Sequence, residues 1–112
     1  MKPGWPVRLG RQAEEDYREI LHWTATTFGE TQAVTYAETM TQAIEALRDG
    51  PDIPGARARD EIQPGVRVLH VARQGRKGRH LVVFRVGAGE TTDVLRLLHD
   101  SMDLPSYLTA GD

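Results

Sequence analysis

The chain has 112 residues, with 14 basic and 16 acidic side chains and a formal net charge of -2. This length suits one compact domain, so we expect residues 1–112 to form a single domain. The near-neutral total argues against a generally polybasic nucleic-acid binder. Because cysteine is absent, disulfides, thiolate metal sites and cysteine nucleophiles are excluded. No apolar run approaches the roughly 18–20 residues that cross a bilayer, and no signal-peptide segment opens the chain, so we expect a cytoplasmic protein.

Charge is unevenly distributed along the chain. Residues 1–52 carry five basic and nine acidic side chains, whereas residues 57–85 carry eight basic and two acidic ones. The middle of the chain is therefore predicted to form a basic patch, although a solvated loop explains its cations equally well.

A short strand and two helices are predicted for the first half of the chain. Residues 5–9 favour a strand, which Pro6 confines to a sheet edge or a strand start. A helix is predicted from Arg11 to Gly29, with acids favoured near its beginning at Glu14, Glu15, Asp16 and Glu19. Its apolar stripe comprises Ala13, Tyr17, Ile20, Leu21, Thr24 and Phe28.

A second helix is predicted over residues 31–48. Its apolar stripe comprises Ala33, Ala37, Met40, Ile44 and Leu47, with Tyr36 beside it. Because about two residues separate the two helices, they are predicted to form an antiparallel hairpin with one shared apolar face.

Three later runs predict a sheet. Residues 66–73, 79–86 and 91–99 are rich in aliphatic side chains, and the short turns at 74–78 and 87–90 favour an antiparallel meander. Residues 81–84 are apolar on both faces, which is typical of a central strand. Since a helix hairpin covers one face, we expect part of the other face to stay exposed for a partner or a second copy. The tail indicates a short turn or helix, from Pro105, Tyr107 and Leu108.

Several segments share their order and spacing with a known family. They are AEEDYREI at 13–20, FGE at 28–30, QA at 32–33, IQPGVR at 62–67, GRHLVVFRV at 78–86, VLRLLH at 94–99 and MD at 102–103. Over residues 7–108 the chain resembles the RelE/ParE superfamily of bacterial toxins, and within it the ParE family. One departure is the turn ARQGRKG at 72–78, which is longer and more basic than the tight connection usual in these toxins.

The resemblance implies an α+β fold with an N-terminal strand, an antiparallel two-helix hairpin on a small antiparallel sheet, and a short C-terminal helix or turn. It also implies a cytoplasmic toxin that poisons DNA gyrase and is held inactive by a ParD-like antitoxin. Such poisoning is binding rather than chemistry, so no cofactor is expected. Neither a membrane nor direct sequence-specific nucleic-acid binding is expected.

The RelE branch of the superfamily is the alternative, because its members cut messenger RNA on the ribosome. That reaction needs a base, an acid and cations around the reacting phosphate. The minority candidates for a catalytic role are Arg67, Arg96 and His99. The three tyrosines fall outside the predicted meander strands, and those strands contain no lysine. No catalytic residue is therefore assigned. A domain of this fold without present toxicity is a third hypothesis.

The preferred interpretation makes ten residues contacts for the antitoxin or the target. They are Trp23, Arg67, Arg73, Arg76, Lys77, Arg79, Arg85, Arg96, His99 and Met102. Arg96 could instead cover the solvent face or pair with an acid on a neighbouring element. Trp23 is interpreted as a flank of the core, and the alternative is an exposed anchor for a partner. His70 and His80 could share a sheet face, but no third ligand is apparent and no metal is expected.

Overall fold

The computed structural model describes residues 4–107. These form β1 (Val7–Leu9), α1 (Arg11–Phe28), α2 (Glu30–Ala46), a 3-10 turn (Leu47–Asp49), β2 (Arg57–Ala58), β3 (Arg67–His70), β4 (His80–Gly87), β5 (Thr91–His99) and α3 (Leu104–Tyr107). The predicted order of strand, helix hairpin, meander and short helix is confirmed. The expected contribution of Leu108 lies outside the described residues.

The sheet has the strand order β1-β5-β4-β3-β2. Strands β3, β4 and β5 form the predicted antiparallel meander. The sheet is mixed rather than wholly antiparallel, because β1 runs parallel to the start of β5, with Val7 opposite Thr92 and Leu9 opposite Val94. Parallel neighbours need a long crossover, which the helices and the meander supply here. The two-residue β2, which the sequence did not indicate, pairs with β3 at the other edge.

The helix hairpin turns at a single residue, Gly29. Its φ of +100° is readily adopted by glycine, and its N–H donates to the Ala25 carbonyl oxygen (3.0 Å). The hairpin packs on one face of the sheet, where it forms the larger core. That core contains Ala13, Met40, Ala43 and Leu47 from the helical segments, and Leu69, Val71, Val82, Phe84, Val94 and Leu97 from the sheet side.

Two residues of α1 differ from their predicted environments. Phe28 is 62% exposed and packs edge-on against Trp23, with ring centroids 5.6 Å apart, instead of entering the core. Helical spacing defines the side on which a residue lies, but not how far along the helix the sheet extends. Asp16 is buried rather than displayed at the helix beginning, because it binds Arg96 of β5.

The chain itself covers most of the second face of the sheet, more than the sequence led us to expect, while Leu81 and Leu95 on this face are only partly buried. Its core contains Val66, Val68, Val83, Leu98 and Leu104, with Ile62, Leu81 and Leu95 packed beside it. Ile62 and Val66, which precede β3, and Leu104 of α3 pack on this face, which the helix hairpin does not reach. The prediction of a central strand apolar on both faces is confirmed. Between residues 4 and 107, no helix combines the length and the apolar character needed to span a membrane.

Candidate functional site

A groove of about 940 Å³ opens between the helix hairpin, the turn at 75–79 and the end of β5. We call it the hairpin groove. Its lining combines apolar side chains (Ile20, Trp23, Phe28, Met102), cations (Arg76, Lys77, Arg79) and a polar floor (Tyr36, His80, His99), with further contributions from Glu19, Thr24, Gln32, Thr35, Thr39, Gly75, Gly78 and Ser101.

The apolar wall of the hairpin groove is exposed. Trp23, Phe28 and Met102 are 57%, 62% and 39% exposed, respectively. Trp23 therefore belongs to the groove and not to the flank of the core, so the interpretation from the sequence is wrong and the alternative of an exposed side chain is correct. Large exposed aromatic side chains beside polar groups are typical anchors for a protein partner.

The cationic wall is the turn at 75–79, and Arg76 fastens it to α2. The Arg76 Nε and Nη2 atoms donate to the Thr39 hydroxyl (3.0 and 2.8 Å), and Nη2 also donates to the Thr35 carbonyl oxygen (3.0 Å). The guanidinium of Arg76 is thus occupied within the protein. Lys77 is exposed, and Arg79 donates from Nε to the Asp100 carboxylate (3.2 Å) while its side chain stays largely exposed.

The floor of the groove is a contact between α2 and β4. The Tyr36 hydroxyl lies 2.6 Å from His80 Nδ1 and accepts a hydrogen bond from the Arg79 N–H (3.1 Å). Burial, followed by the neighbouring His99, lowers the pKa of His80 to about 4. The neutral ring then accepts a hydrogen bond from the Tyr36 hydroxyl at Nδ1, which assigns the proton of the ring to Nε2. Burial also raises the pKa of Tyr36.

The end of β5 carries a second set of polar contacts. The His99 ring lies edge-on to His80 at 5.3 Å, and its Nδ1 accepts hydrogen bonds from the Ser101 N–H (3.2 Å) and hydroxyl (2.7 Å). The Asp100 carboxylate binds His70 Nε2 (3.0 Å) as well as Arg79. The hydrogen bond from Arg79, followed by that from His70, lowers the pKa of Asp100 to about 2. Asp100 is therefore ionised near neutral pH.

The groove brings together six of the predicted contact residues, namely Trp23, Arg76, Lys77, Arg79, His99 and Met102. Four others lie outside its lining: Arg67, Arg73, Arg85 and Arg96. The Arg67 guanidinium binds Asp52 (2.9 Å) and the Pro51 carbonyl oxygen (3.0 Å). Of the roles left open for Arg96, the structure shows pairing with an acid on a neighbouring element, because Arg96 binds Asp16 (2.8 Å).

The three minority catalytic candidates are not gathered at one site. His99 lines the groove, whereas Arg67 and Arg96 form the separate ion pairs described above. Sequence reasoning missed Tyr36 and His80 as groove residues. Tyr36 lies beside the apolar stripe of α2, and this position predicts the side of the helix on which it lies. No local pattern predicts that Tyr36 contacts His80, the first residue of β4.

The structure does not place His70 and His80 on one sheet face, an arrangement that the sequence left open. The register pairs His70 with Leu81, and neighbouring residues on a strand alternate between faces. His80 therefore lies on the hairpin side, and His70 on the other side. Over residues 4–107, no group of three or more His, Asp or Glu side chains is placed to hold a metal ion.

The fold and the hairpin groove define a small α+β domain suited to contact with another macromolecule. Residues 7–104 match the family model described as ParE toxin of type II toxin-antitoxin system, parDE. The chain therefore belongs to the ParE toxin family.

Relatives and a solved structure agree with this assignment. The chain is 29% identical over 103 residues to Toxin ParE1 of Caulobacter vibrioides, covering 92% of this chain and 97% of that protein. It is 35% identical over 100 residues to Toxin ParE1 of Mycobacterium tuberculosis, covering 89% and 94%. A chain of the chromosomal ParDE TA system from P. aeruginosa shares the fold, with a TM-score of 0.70, 21% identity and coverage of 85% and 95%.

Proposed function

We propose that this protein inhibits DNA gyrase by direct contact in the cytoplasm and is neutralised by a ParD-like antitoxin. The match of residues 7–104 to the ParE toxin family carries the proposal, because gyrase poisoning is the activity that this resemblance implies. The shared fold with a chain of the chromosomal ParDE TA system from P. aeruginosa supports an antitoxin partner.

The hairpin groove is the surface that we propose for the antitoxin. An antitoxin segment that places apolar side chains against Trp23 and Phe28 would remove these exposed rings from water. Acidic residues of the same segment would face Lys77 and Arg79 on the opposite wall. This combination of an apolar centre and a charged rim is typical of protein interfaces.

Induction of the protein in cells that lack the antitoxin tests the proposal. We expect filamentation and a DNA damage response, while translated messages stay intact. Co-expression of the antitoxin should restore growth. Codon-positioned cuts in messages with normal DNA supercoiling would contradict gyrase as the target. Normal growth at full expression would support a domain of this fold without toxicity.

One observation favours a second candidate function, the ribosome-dependent cleavage of messenger RNA. The predicted meander strands contain no tyrosine, yet α2 brings the Tyr36 hydroxyl to 2.6 Å from His80, and His80 lies edge-on to His99. These groups are capable of acid–base chemistry. Message cleavage that both Tyr36→Phe and His99→Ala abolish, with the fold intact, would support this candidate. Absence of cleavage by the unchanged protein would eliminate it.

A further inference from the structure

We propose that Arg76 is a positioning residue, which fixes the turn at 75–79 as a rigid cationic wall and thereby makes this turn select an acidic antitoxin segment. The inference rests on the proposed function of the hairpin groove. It assigns Arg76 a role inside the protein, and assigns the contact with the partner to Lys77 and Arg79.

The contacts of Arg76 carry the first step. Thr39 is 2% exposed, and its hydroxyl donates to the Thr35 carbonyl oxygen (3.1 Å). The lone pairs of that hydroxyl are therefore available to the Arg76 guanidinium, which approaches with two nitrogen atoms. A planar fork of donors makes these bonds together, whereas a lysine ammonium at a single point does not reproduce them.

A second anchor holds the other side of the turn. A Cβ atom added at Gly78 would lie 2.6 Å from Val71 Cγ2 and 2.8 Å from Tyr36 Cε1, so the turn backbone packs directly on α2 and on the residue that follows β3. The next residue, Arg79, donates its N–H to the Tyr36 hydroxyl. Lys77 therefore lies between two anchored positions.

Because the turn is held on both sides, little conformational freedom is lost when its charged side chains bind a partner. Binding normally costs free energy to immobilise a loop, and a prearranged loop avoids part of that cost. The turn carries three cations, Arg76, Lys77 and Arg79, within four residues. Because its position is fixed, these charges favour an antitoxin segment with acidic residues over one with basic residues.

Substitutions at Arg76 and Thr39 distinguish the effect of holding the turn in place from the effect of its positive charge. Arg76→Lys keeps the positive charge but loses the fork of donors. Thr39→Val keeps Arg76 but removes the hydroxyl that accepts two of its hydrogen bonds, and leaves the Thr35 carbonyl oxygen as an acceptor. Thr39→Ser retains the hydroxyl and is the conservative rescue. Arg57→Lys, at an exposed position on β2 away from the groove, and Thr31→Val, at an exposed position on α2, are the matched controls.

The measurement is the affinity of each purified toxin variant for a purified ParD-like antitoxin, with association and dissociation rates at several salt concentrations. We expect Arg76→Lys and Thr39→Val to weaken binding about tenfold, chiefly through faster dissociation, because the wall loses its fixed position. Lys77→Ala should instead slow association and reduce its salt dependence. Thr39→Ser and both controls should match the unchanged toxin, and circular dichroism should show all variants folded.

The outcomes distinguish this inference from the proposed function. If the unchanged toxin binds the antitoxin and Arg76→Lys and Thr39→Val bind equally well, the positioning role is wrong while the groove proposal stands. If affinity follows the loss of folded protein instead of the presence of the hydroxyl, the positioning role is also wrong. If the unchanged toxin does not bind the antitoxin, both proposals fail.

Discussion

Arg96 of β5 and Asp16 of α1 form a nearly buried ion pair that joins the sheet to the helix hairpin. The Nε–Oδ2 and Nη2–Oδ1 distances are 2.8 and 3.0 Å, and the side chains are only 18% and 10% exposed. The Asp16 carboxylate also accepts a hydrogen bond from the Leu97 N–H (2.9 Å). Strand β1 pairs with β5 only as far as Val94. Beyond the end of β1, the Asp16 carboxylate takes the place of a strand and accepts the hydrogen bond from the Leu97 N–H.

Replacement of Asp16 should destabilise the fold more than replacement of any exposed acid on α1. Asp16→Ala removes one partner of a nearly buried ion pair and leaves the Leu97 N–H without this acceptor. We expect it to lower the free energy of unfolding by about 3 kcal/mol, and Asp16→Asn to cost less because its amide oxygen can still accept one bond. Urea unfolding measures both.

The exposed Glu15 is the matched control on the same helix. Glu15→Ala should change the free energy of unfolding by no more than about 0.5 kcal/mol. Equal effects of Glu15→Ala and Asp16→Ala would show that the pair does not hold α1 on β5.

Stability should decrease with falling pH between about 6.5 and 4 because of His80. The folded pKa of His80 is about 4, below its ordinary value of 6.5, so in this window the unfolded chain binds a proton that the folded chain excludes. For a fully buried ring this difference in pKa would amount to about 3 kcal/mol at pH 4, and the partial exposure of His80 reduces the predicted loss in the free energy of unfolding to about 2 kcal/mol. The pH dependence due to His80 disappears above about pH 7.5.

His80→Gln should flatten this part of the profile, because glutamine does not titrate and its amide oxygen can accept the Tyr36 hydroxyl proton. The other charged or titratable groups whose electrostatic effects reach His80 are His99, Asp100, His70 and Asp16. The folded pKa of Asp100 is lowered from 3.8 to about 2, so its stabilisation is present above 3.8 and is lost towards pH 2. An unchanged slope between pH 6.5 and 4 in His80→Gln would assign that dependence to another group.

Trp23 should contribute to antitoxin affinity without contributing much to stability. Trp23→Ala removes an exposed ring from the apolar wall, and we expect a loss of affinity of about ten- to a hundredfold. Val34 is the matched control, since it is also an exposed apolar residue of the hairpin but does not line the groove. Equal affinities of Trp23→Ala and Val34→Ala in a calorimetric titration would argue against the groove as the antitoxin site.

His99→Ala should leave part of the gyrase inhibition if the toxin acts through many distributed contacts. Among the described residues, the His99 side chain forms hydrogen bonds with Ser101 in its own turn and lies close to Asp100 and His80. Residual inhibition in a supercoiling assay is the expected result. A complete loss, with circular dichroism unchanged, would indicate acid–base chemistry at His99.

Local sequence patterns predicted most of the elements in this fold. The aliphatic run at residues 91–99 matched β5 at both ends, and Gly29 marked the hairpin turn because few other residues adopt its positive φ. The second helix began one residue earlier than predicted and ended at Ala46, where a 3-10 turn follows. Such terminal differences are expected where helix ends change hydrogen-bond pattern.

The remaining features depend on contacts between distant residues. Asp16 fits the acidic beginning of α1 as well as it fits a buried ion pair, and only the position of Arg96 some eighty residues later decides between them. The contact of Tyr36 with His80 depends likewise on how α2 crosses β4. Composition predicted the basic turn of the candidate site. It did not predict that Arg76 of this turn faces inward and binds the Thr39 hydroxyl.

DNA supercoiling by purified gyrase in the presence of the purified toxin tests the central claim most directly. The toxin should inhibit supercoiling in a dose-dependent manner, and prior addition of the antitoxin should abolish the inhibition. Trp23→Ala toxin should need more antitoxin than Val34→Ala toxin for the same protection. Full gyrase activity at a large excess of folded toxin, which still arrests growth and cleaves messages on ribosomes, would contradict the account.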